Sequence, residues 1–235
     1  MSRWRYAVTL VVLAGACSNL TSGSDVVVAL ELQLPAPAIV EQHDTLTLHA
    51  VALNAQGDSL ATPVYWRTLD DSILTIVDST GLVTSDTTTG LPRVQAYVGS
   101  LRSEIQTLTI LPRADTLRLT GADTVTVAAA DSVSDTLGVV VESDNPAGGI
   151  TGTSILFQVV DSVAARGTVE FVNGASGLLV YRATTGLSGG PSPGVALRRI
   201  AGRTPPASVQ VQVSATRPSG RAVPGSGQII TVLFQ

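Results

Sequence analysis

Along most of this chain, apolar and polar residues alternate in short runs separated by turn residues. The run from Ser208 to Thr216 is the cleanest. Val209, Val211, Val213 and Ala215 fall on one side and Gln210, Gln212 and Ser214 on the other, which is the period of two expected of a strand with one buried face. Asp44–Leu53 repeats the pattern, with Leu46, Leu48, Ala50 and Ala52 opposed to Thr45, Thr47, His49 and Val51. Between them lie Val64–Arg67, Ile73–Val77, Leu82–Val83, Pro92–Val98 and Glu104–Ile110, with Asp78-Ser79-Thr80-Gly81 as a turn. Val27–Leu34 stops at Pro35-Ala36-Pro37 and reads as an edge strand. Trp66 is the expected core anchor of this region, and Leu108 and Ile110 are expected to point inward. So many short strands cannot bury their faces in one open layer, so two packed sheets are predicted.

The pattern restarts after Leu111-Pro112. Thr116–Leu119, Val125–Ala130, Leu137–Glu142, Gly194–Ile200 and Gln228–Phe234 read as strands, and Ile155–Val160 as a central one. Thr168–Val172 and Leu178–Arg182 are expected to form a hairpin. Asp144–Gly149 reads as a loop and Gly186–Gly194 as the longest flexible one. The fold class predicted is all-β, with two tandem immunoglobulin-like β-sandwiches after a cleaved signal peptide. The boundaries are 1–16 for the signal peptide, 17–26 for a lipidated cysteine and short tether, 27–111 for the first sandwich and 112–235 for the second. A last strand that reaches Phe234 predicts a complete second sandwich.

The amino-terminus changes the picture from fold to location. Arg3 and Arg5 precede a short apolar stretch, Ala7–Ala14, which is too short to span a membrane as a helix. Leu13-Ala14-Gly15-Ala16-Cys17 resembles a bacterial lipobox, with Ala14 where such motifs usually carry Leu. That resemblance implies cleavage before Cys17, a lipid such as palmitate on it, and a protein held to a bacterial membrane. The alternative is an ordinary secretory signal with an incidental cysteine. Cys17 is the chain's single cysteine, so it has no disulfide partner within the chain. Ser18 and Asn19 follow it without an acidic residue, and the lipobox resemblance therefore implies sorting to the outer membrane or cell surface.

Composition narrows the function. Of 235 residues, 44% are hydrophobic and only 14% charged, enough apolar material for a core and against wholesale disorder. The net charge is −4 and every basic residue is an arginine, scattered without a patch, which argues against nucleic-acid binding.

Specific segments then carry a family resemblance. Trp66-Arg67-Thr68, Ser72-Ile73-Leu74-Thr75-Ile76, Gly81-Leu82-Val83-Thr84 and Pro92-Arg93-Val94-Gln95-Ala96-Tyr97 together resemble the bacterial immunoglobulin-like group 2 family over about Val27 to Ile110. Pro92-Arg93 replaces the small residues usual before that last strand. In the second half, Phe157 with Gly152-Thr153, Gly194–Leu197 and Val209–Ala215 resemble the invasin-like group 1 repeat, although Ser143-Asp144-Asn145-Pro146 stands where that family has an Asp-x-x-Gly turn. These resemblances imply a spacer or adhesive module with no catalytic residues, cofactor or metal to carry over.

His43 and His49 are the only histidines and lack the cysteine company of a transition-metal site. Asp58, Asp70, Asp71 and Asp78 are candidate oxygen ligands for Ca²⁺, yet they lack EF-hand spacing and read as solvated loop carboxylates. Gly174-Ala175-Ser176-Gly177 is not a nucleophile elbow. Gly148-Gly149 and Gly186–Gly190 carry no lysine, so neither is a phosphate loop. For glycans, candidate exposed aromatics are few: Trp4, Trp66, Tyr97 and Tyr181. The expectation is a non-catalytic cell-envelope lipoprotein, structural or adhesive. A glycan- or protein-binding module of the surface is the alternative, and an unrecognised hydrolase is a remote one. The expected partners are the membrane, through the lipid, and an envelope protein or glycan. Edge strands at Val27–Leu34 and Ile229–Phe234 are candidate docking edges for a partner strand.

Overall fold

Short alternating runs broken by Gly, Pro and Asp cannot make long strands, and in the computed structural model most strands have two to six residues. The structure describes residues 25–160, 162–174 and 177–235. The architecture is all-β, a set of small, mostly antiparallel sheets in the manner of immunoglobulin-like β-sandwiches.

The first half contains β1 (Ala29–Gln33), β2 (Ile39–Glu41), β3 (Thr45–Thr47), β4 (His49–Leu53), β5 (Ser59–Leu60) and β6 (Tyr65–Thr68). It continues through β7 (Leu74–Ile76), β8 (Leu82–Ser85), β9 (Arg93–Val98), β10 (Leu101–Arg102), β11 (Gln106–Thr107) and β12 (Thr109–Leu111). Three sheets, β1-β4-β5, β3-β8-β7 and one in which β9 pairs with β6, β10 and β11, surround one core. That core holds Leu48, Trp66, Leu74, Val83, Val94, Ala96 and Leu108. Trp66 is 4% exposed, as expected of an anchor. Gly81 shapes the turn beside it with φ 68°. A Cβ there would lie 2.6 Å from the Leu48 carbonyl oxygen and 2.7 Å from Trp66 Nε1.

Asp44–Leu53 does not run as one strand. It splits at Leu48, whose N–H donates to Gly81 O, so β3 joins β8 while β4 joins β1. Glu104–Ile110 splits in the same way, with β11 on β9 and β12 alongside β2. Strands that change sheets are how two small layers close around one core. The β2–β12 pairing is parallel, Thr109 opposite Ile39 and Leu111 opposite Glu41.

The second half contains β13 (Thr116–Leu119), β14 (Thr124–Val127), β15 (Val139–Asp144), β16 (Ala147–Gly149) and β17 (Ser154–Val159). A one-turn helix α1 (Ser162–Ala165) precedes β18 (Val169–Phe171). Then come β19 (Val180–Thr185), β20 (Pro191–Ser192), β21 (Leu197–Arg199), β22 (Ser208–Thr216) and β23 (Gln228–Phe234). A six-stranded sheet, β14-β23-β22-β17-β19-β20, is accompanied by β13-β15-β16 and β18-β21. The central position expected for Ile155–Val160 is that of β17. On β22, Val209, Val211, Val213 and Ala215 are buried, as their alternation requires. The core includes Phe157 and Phe171, edge to face at 6.5 Å between ring centroids. Here too the first long-sheet strand and the last are parallel, β14 against β23.

Four local expectations differ, the first being that Ile229–Phe234 is not an open edge, because β23 lies between β14 and β22. The 168–172 and 178–182 segments do not form a hairpin, because β18 pairs with β21 and β19 with β17. Asp144–Gly149 is not a loose loop but the tight hairpin of β15 and β16. Gly186–Gly194 is pinned rather than free: β20 pairs with β19, and Val141 N–H donates to Gly189 O. Gly189 sits so close that a Cβ on it would lie 2.3 Å from Val141 O.

Candidate functional site

The joint between the two halves brings together charged side chains that are largely buried. Glu41 ends β2 and Arg217 follows β22. Their side chains are 4% and 9% exposed, with Arg217 Nε 3.5 Å from Glu41 Oε2. Arg217 also donates to the Ala114 carbonyl oxygen through Nε at 2.9 Å and Nη2 at 2.5 Å. In return, Ala114 N–H points at Glu41 Oε1, at 3.4 Å. Asp115 lies 3.9 Å from the same guanidinium and 3.2 Å from Arg113 Nε. Arg113 N–H reaches the Gln42 side-chain oxygen at 3.4 Å. The four residues after β12 are thereby held from both sides, by β2 and by the end of β22.

Burial raises the Glu41 carboxyl above the ordinary glutamate value, against the lowering influence of the Ala114 N–H and Arg217. An ion pair so placed is costly to desolvate, and it holds only while both partners are present. Beside it opens a cleft of about 450 Å³ lined by Pro37, Ile39, Leu111, Ile150, Arg182 and Pro218 among others. Its walls come from both halves, so the joint sets its width.

The residues singled out in the sequence fall elsewhere. Cys17, Trp4 and the rest of residues 1–24 lie outside the described residues, as do Ala175 and Ser176. His43 occupies the turn after β2 with φ 58°, and His49 begins β4; both are exposed. The four aspartates do not converge. Asp58 closes a turn with Asn54. Asp70 pairs with Arg93 at 3.0 Å, which holds its carboxyl below the ordinary value, and Asp71 is exposed. Asp78 accepts from Trp66 N–H and the Tyr97 hydroxyl. Among the described residues no group of three or more His, Cys, Asp or Glu side chains is placed to hold a metal ion. Among them, too, no helix is long and apolar enough to cross a membrane.

Sequence reasoning did not single out Glu41, Arg217 or Asp115. The only local signals are a carboxylate closing the apolar triplet Ile39-Val40-Glu41 and an arginine between a clean strand and Pro218.

No family model matches the chain, and no curated protein matches its sequence. Among solved structures, the adhesin InvE of Yersinia pseudotuberculosis is similar over 88% of this chain and 58% of its own. Its identity is 16% and its TM-score 0.39. The Escherichia coli adhesin FdeC is similar over 88% of this chain and 66% of its own, at 16% identity and a TM-score of 0.37. Domains 4 and 5 of the S-layer protein SbsC are covered to 98%, and this chain to 88%, at 16% identity and a TM-score of 0.31. Likeness at this level carries no argument about what this chain does.

Proposed function

We propose that the chain is a non-catalytic module of a bacterial cell envelope, two tandem immunoglobulin-like β-sandwiches at residues 27–111 and 112–235. Residues 1–16 are removed, and a lipid on Cys17 holds the module to the outer membrane or cell surface. Its role is that of a spacer or adhesive arm whose partner is an envelope protein or glycan.

The buried Glu41–Arg217 joint supports the part of this reading that makes the chain a stiff two-part arm. A flexible tether between domains would be exposed and polar, whereas here the connection is short and clamped by side chains of both halves. The joint also orients the module. The carboxyl end of β1 leads through Pro35–Pro37 to β2 at the joint, so Val26 lies toward the opposite end of the first half. In the second half, Gln228 begins β23 near Leu117, while Phe234 lies against Arg199 at the far end. The order from anchor to tip is then tether, first half, joint, second half.

Labelling of expressing cells with radioactive palmitate, followed by membrane fractionation, tests the anchor. The wild-type chain is expected to take up label and sediment with membranes, and Cys17→Ala to do neither. Equal labelling of both, or of neither, overturns the lipid-anchored reading.

A further inference from the structure

The outward side of the sheet around β9 carries a cluster of rings and cations. Trp66, Val94 and Ala96 on these strands face the core. The alternate residues Tyr65 and Arg67 on β6, and Gln95 and Tyr97 on β9, face away from it. Tyr65 lies opposite Tyr97 and Arg67 opposite Gln95, while Arg102 on β10 lies opposite Tyr97 from the other flank.

The side chains hold one another in place. The Tyr65 and Tyr97 ring centroids are 5.7 Å apart with 31° between the planes. The guanidinium carbon of Arg102 sits 4.7 Å from the Tyr97 ring centroid, within the range of a cation–π contact. The Tyr97 hydroxyl donates to the two carboxylate oxygens of Asp78 at 3.2 and 3.1 Å. Tyr65 is 39% exposed.

Two cations of this cluster have no carboxylate. Arg67 donates through Nε and Nη2 to the Gln95 side-chain oxygen at 3.1 and 2.5 Å. Arg102 donates through Nη1 to the carbonyl oxygens of Gly99 and Leu101 at 2.7 and 3.1 Å. Neither forms an ion pair among the described residues, in contrast to Arg93, Arg118, Arg198 and Arg217. Neutral acceptors aim each guanidinium and leave N–H groups of its planar fork for an anion. The face therefore has the composition of a binding hot spot, tyrosine and arginine together on a pre-organised surface.

The occupant follows from shape and charge. Strand addition is disfavoured here. The outer edge of β6 is closed where Trp66 N–H donates to Asp78 O, and β10 has only two residues. What remains is a row in which Tyr97 is held between Tyr65 and Arg102, leaving the exposed ring of Tyr65 beside two guanidinium groups without a carboxylate. A pyranose presents a flat C–H face to an exposed ring such as Tyr65, and carboxylates fit a guanidinium fork.

We propose that this face binds an acidic polysaccharide, a sugar ring resting on Tyr65 and its uronate carboxylates engaged by Arg67 and Arg102. The inference rests on the surface-module reading only for the ligand's access in the cell. Binding by purified protein and palmitate labelling in cells therefore fail independently.

The test is isothermal titration of the purified full chain, in detergent and EDTA, with polygalacturonate, its methyl ester and poly-glutamate. Polygalacturonate is expected to bind, and the ester and poly-glutamate to bind at least about tenfold more weakly, the loss that follows from removing charged hydrogen bonds or ring contacts. Tyr65→Ala and the double variant R67Q/R102Q are each expected to lose about tenfold or more, with far-UV circular dichroism unchanged. Arg203→Gln, an exposed arginine of the second half, is expected to bind like wild type. Absent heat with polygalacturonate overturns the proposal, as does undiminished binding by the ester or by the folded variants. Equal binding of poly-glutamate reassigns the face to acidic peptides, and a matching loss in Arg203→Gln shows nonspecific charge attraction; either result overturns it too.

Discussion

Replacing Arg217 by Met tests the joint directly. The change keeps much of the side chain's volume and removes its charge, and with it the contact to Glu41 at 3.5 Å and two hydrogen bonds to Ala114 O. Glu41, 3% exposed, would be left in place without its counter-ion. Breaking a buried pair in this way costs about 3–5 kcal/mol, because the remaining charge stays desolvated and uncompensated. In a chain of this size that corresponds to a fall of about 6–20 °C in the unfolding midpoint. The companion Glu41→Leu strands Arg217 and is expected to be destabilising as well. The double variant E41L/R217M removes both charges, and its cost should fall below that of either single change. Urea unfolding of the four proteins, followed by far-UV circular dichroism, closes the cycle. A loss below about 1 kcal/mol in Arg217→Met, or a double variant whose cost equals the sum of the singles, would refute the account of the joint.

Two further outcomes follow. Gly81→Ala forces a side chain into a left-handed backbone conformation and against both Leu48 O and Trp66. It should cost at least about 2 kcal/mol in the same urea assay, and a neutral result would show that the turn relaxes freely. Glu41 also predicts a pH dependence. Its raised folded value means that the native state holds this proton more tightly than the unfolded chain. Stability should then decline as pH rises from 4.5, the ordinary glutamate value, through the raised one. Asp70 and Glu142 act in the opposite sense. Arg93 and Arg118 hold their carboxyls low, so the stability they add is present above their ordinary values and is lost as pH falls through the depressed ones. Glu41→Gln should therefore flatten the decline above 4.5 and leave the acid limb intact; a persistent decline would assign it to another group.

Much of the fold was legible because strand faces and tight turns are local properties. The alternation of 208–216, the burial of Trp66 and the pivot at Gly81 each follow from a few adjacent residues. Strand partnership is not local. Val169–Phe171 and Val180–Thr185 are separated by few residues but belong to different sheets, because each finds a better-matched partner elsewhere. The glycines of 186–190 read as freedom, yet they allow close approach to Val141 and Gly149 and so pin the segment. The joint was hidden for a related reason. Glu41 and Arg217 stand far apart in the chain, and nothing beside either one signals that folding will bury them together. Tyr65 was overlooked beside Tyr97 because their adjacency exists only in the register of β6 on β9.

The parallel pairs β2–β12 and β14–β23 bear on how the module carries load. Pulling on the two ends of the molecule draws β2 toward its amino end and β12 toward its carboxyl end. In a parallel pair those directions slide the strands lengthwise, so the rungs from Thr109–Ile39 to Leu111–Glu41 are strained together. The rungs from Thr124–Thr231 to Val127–Phe234 are loaded in the same way. An antiparallel hairpin pulled at its open end would instead unzip one rung at a time. Each half thus contains a parallel pair that tension between the ends loads in shear, and the two are loaded in series.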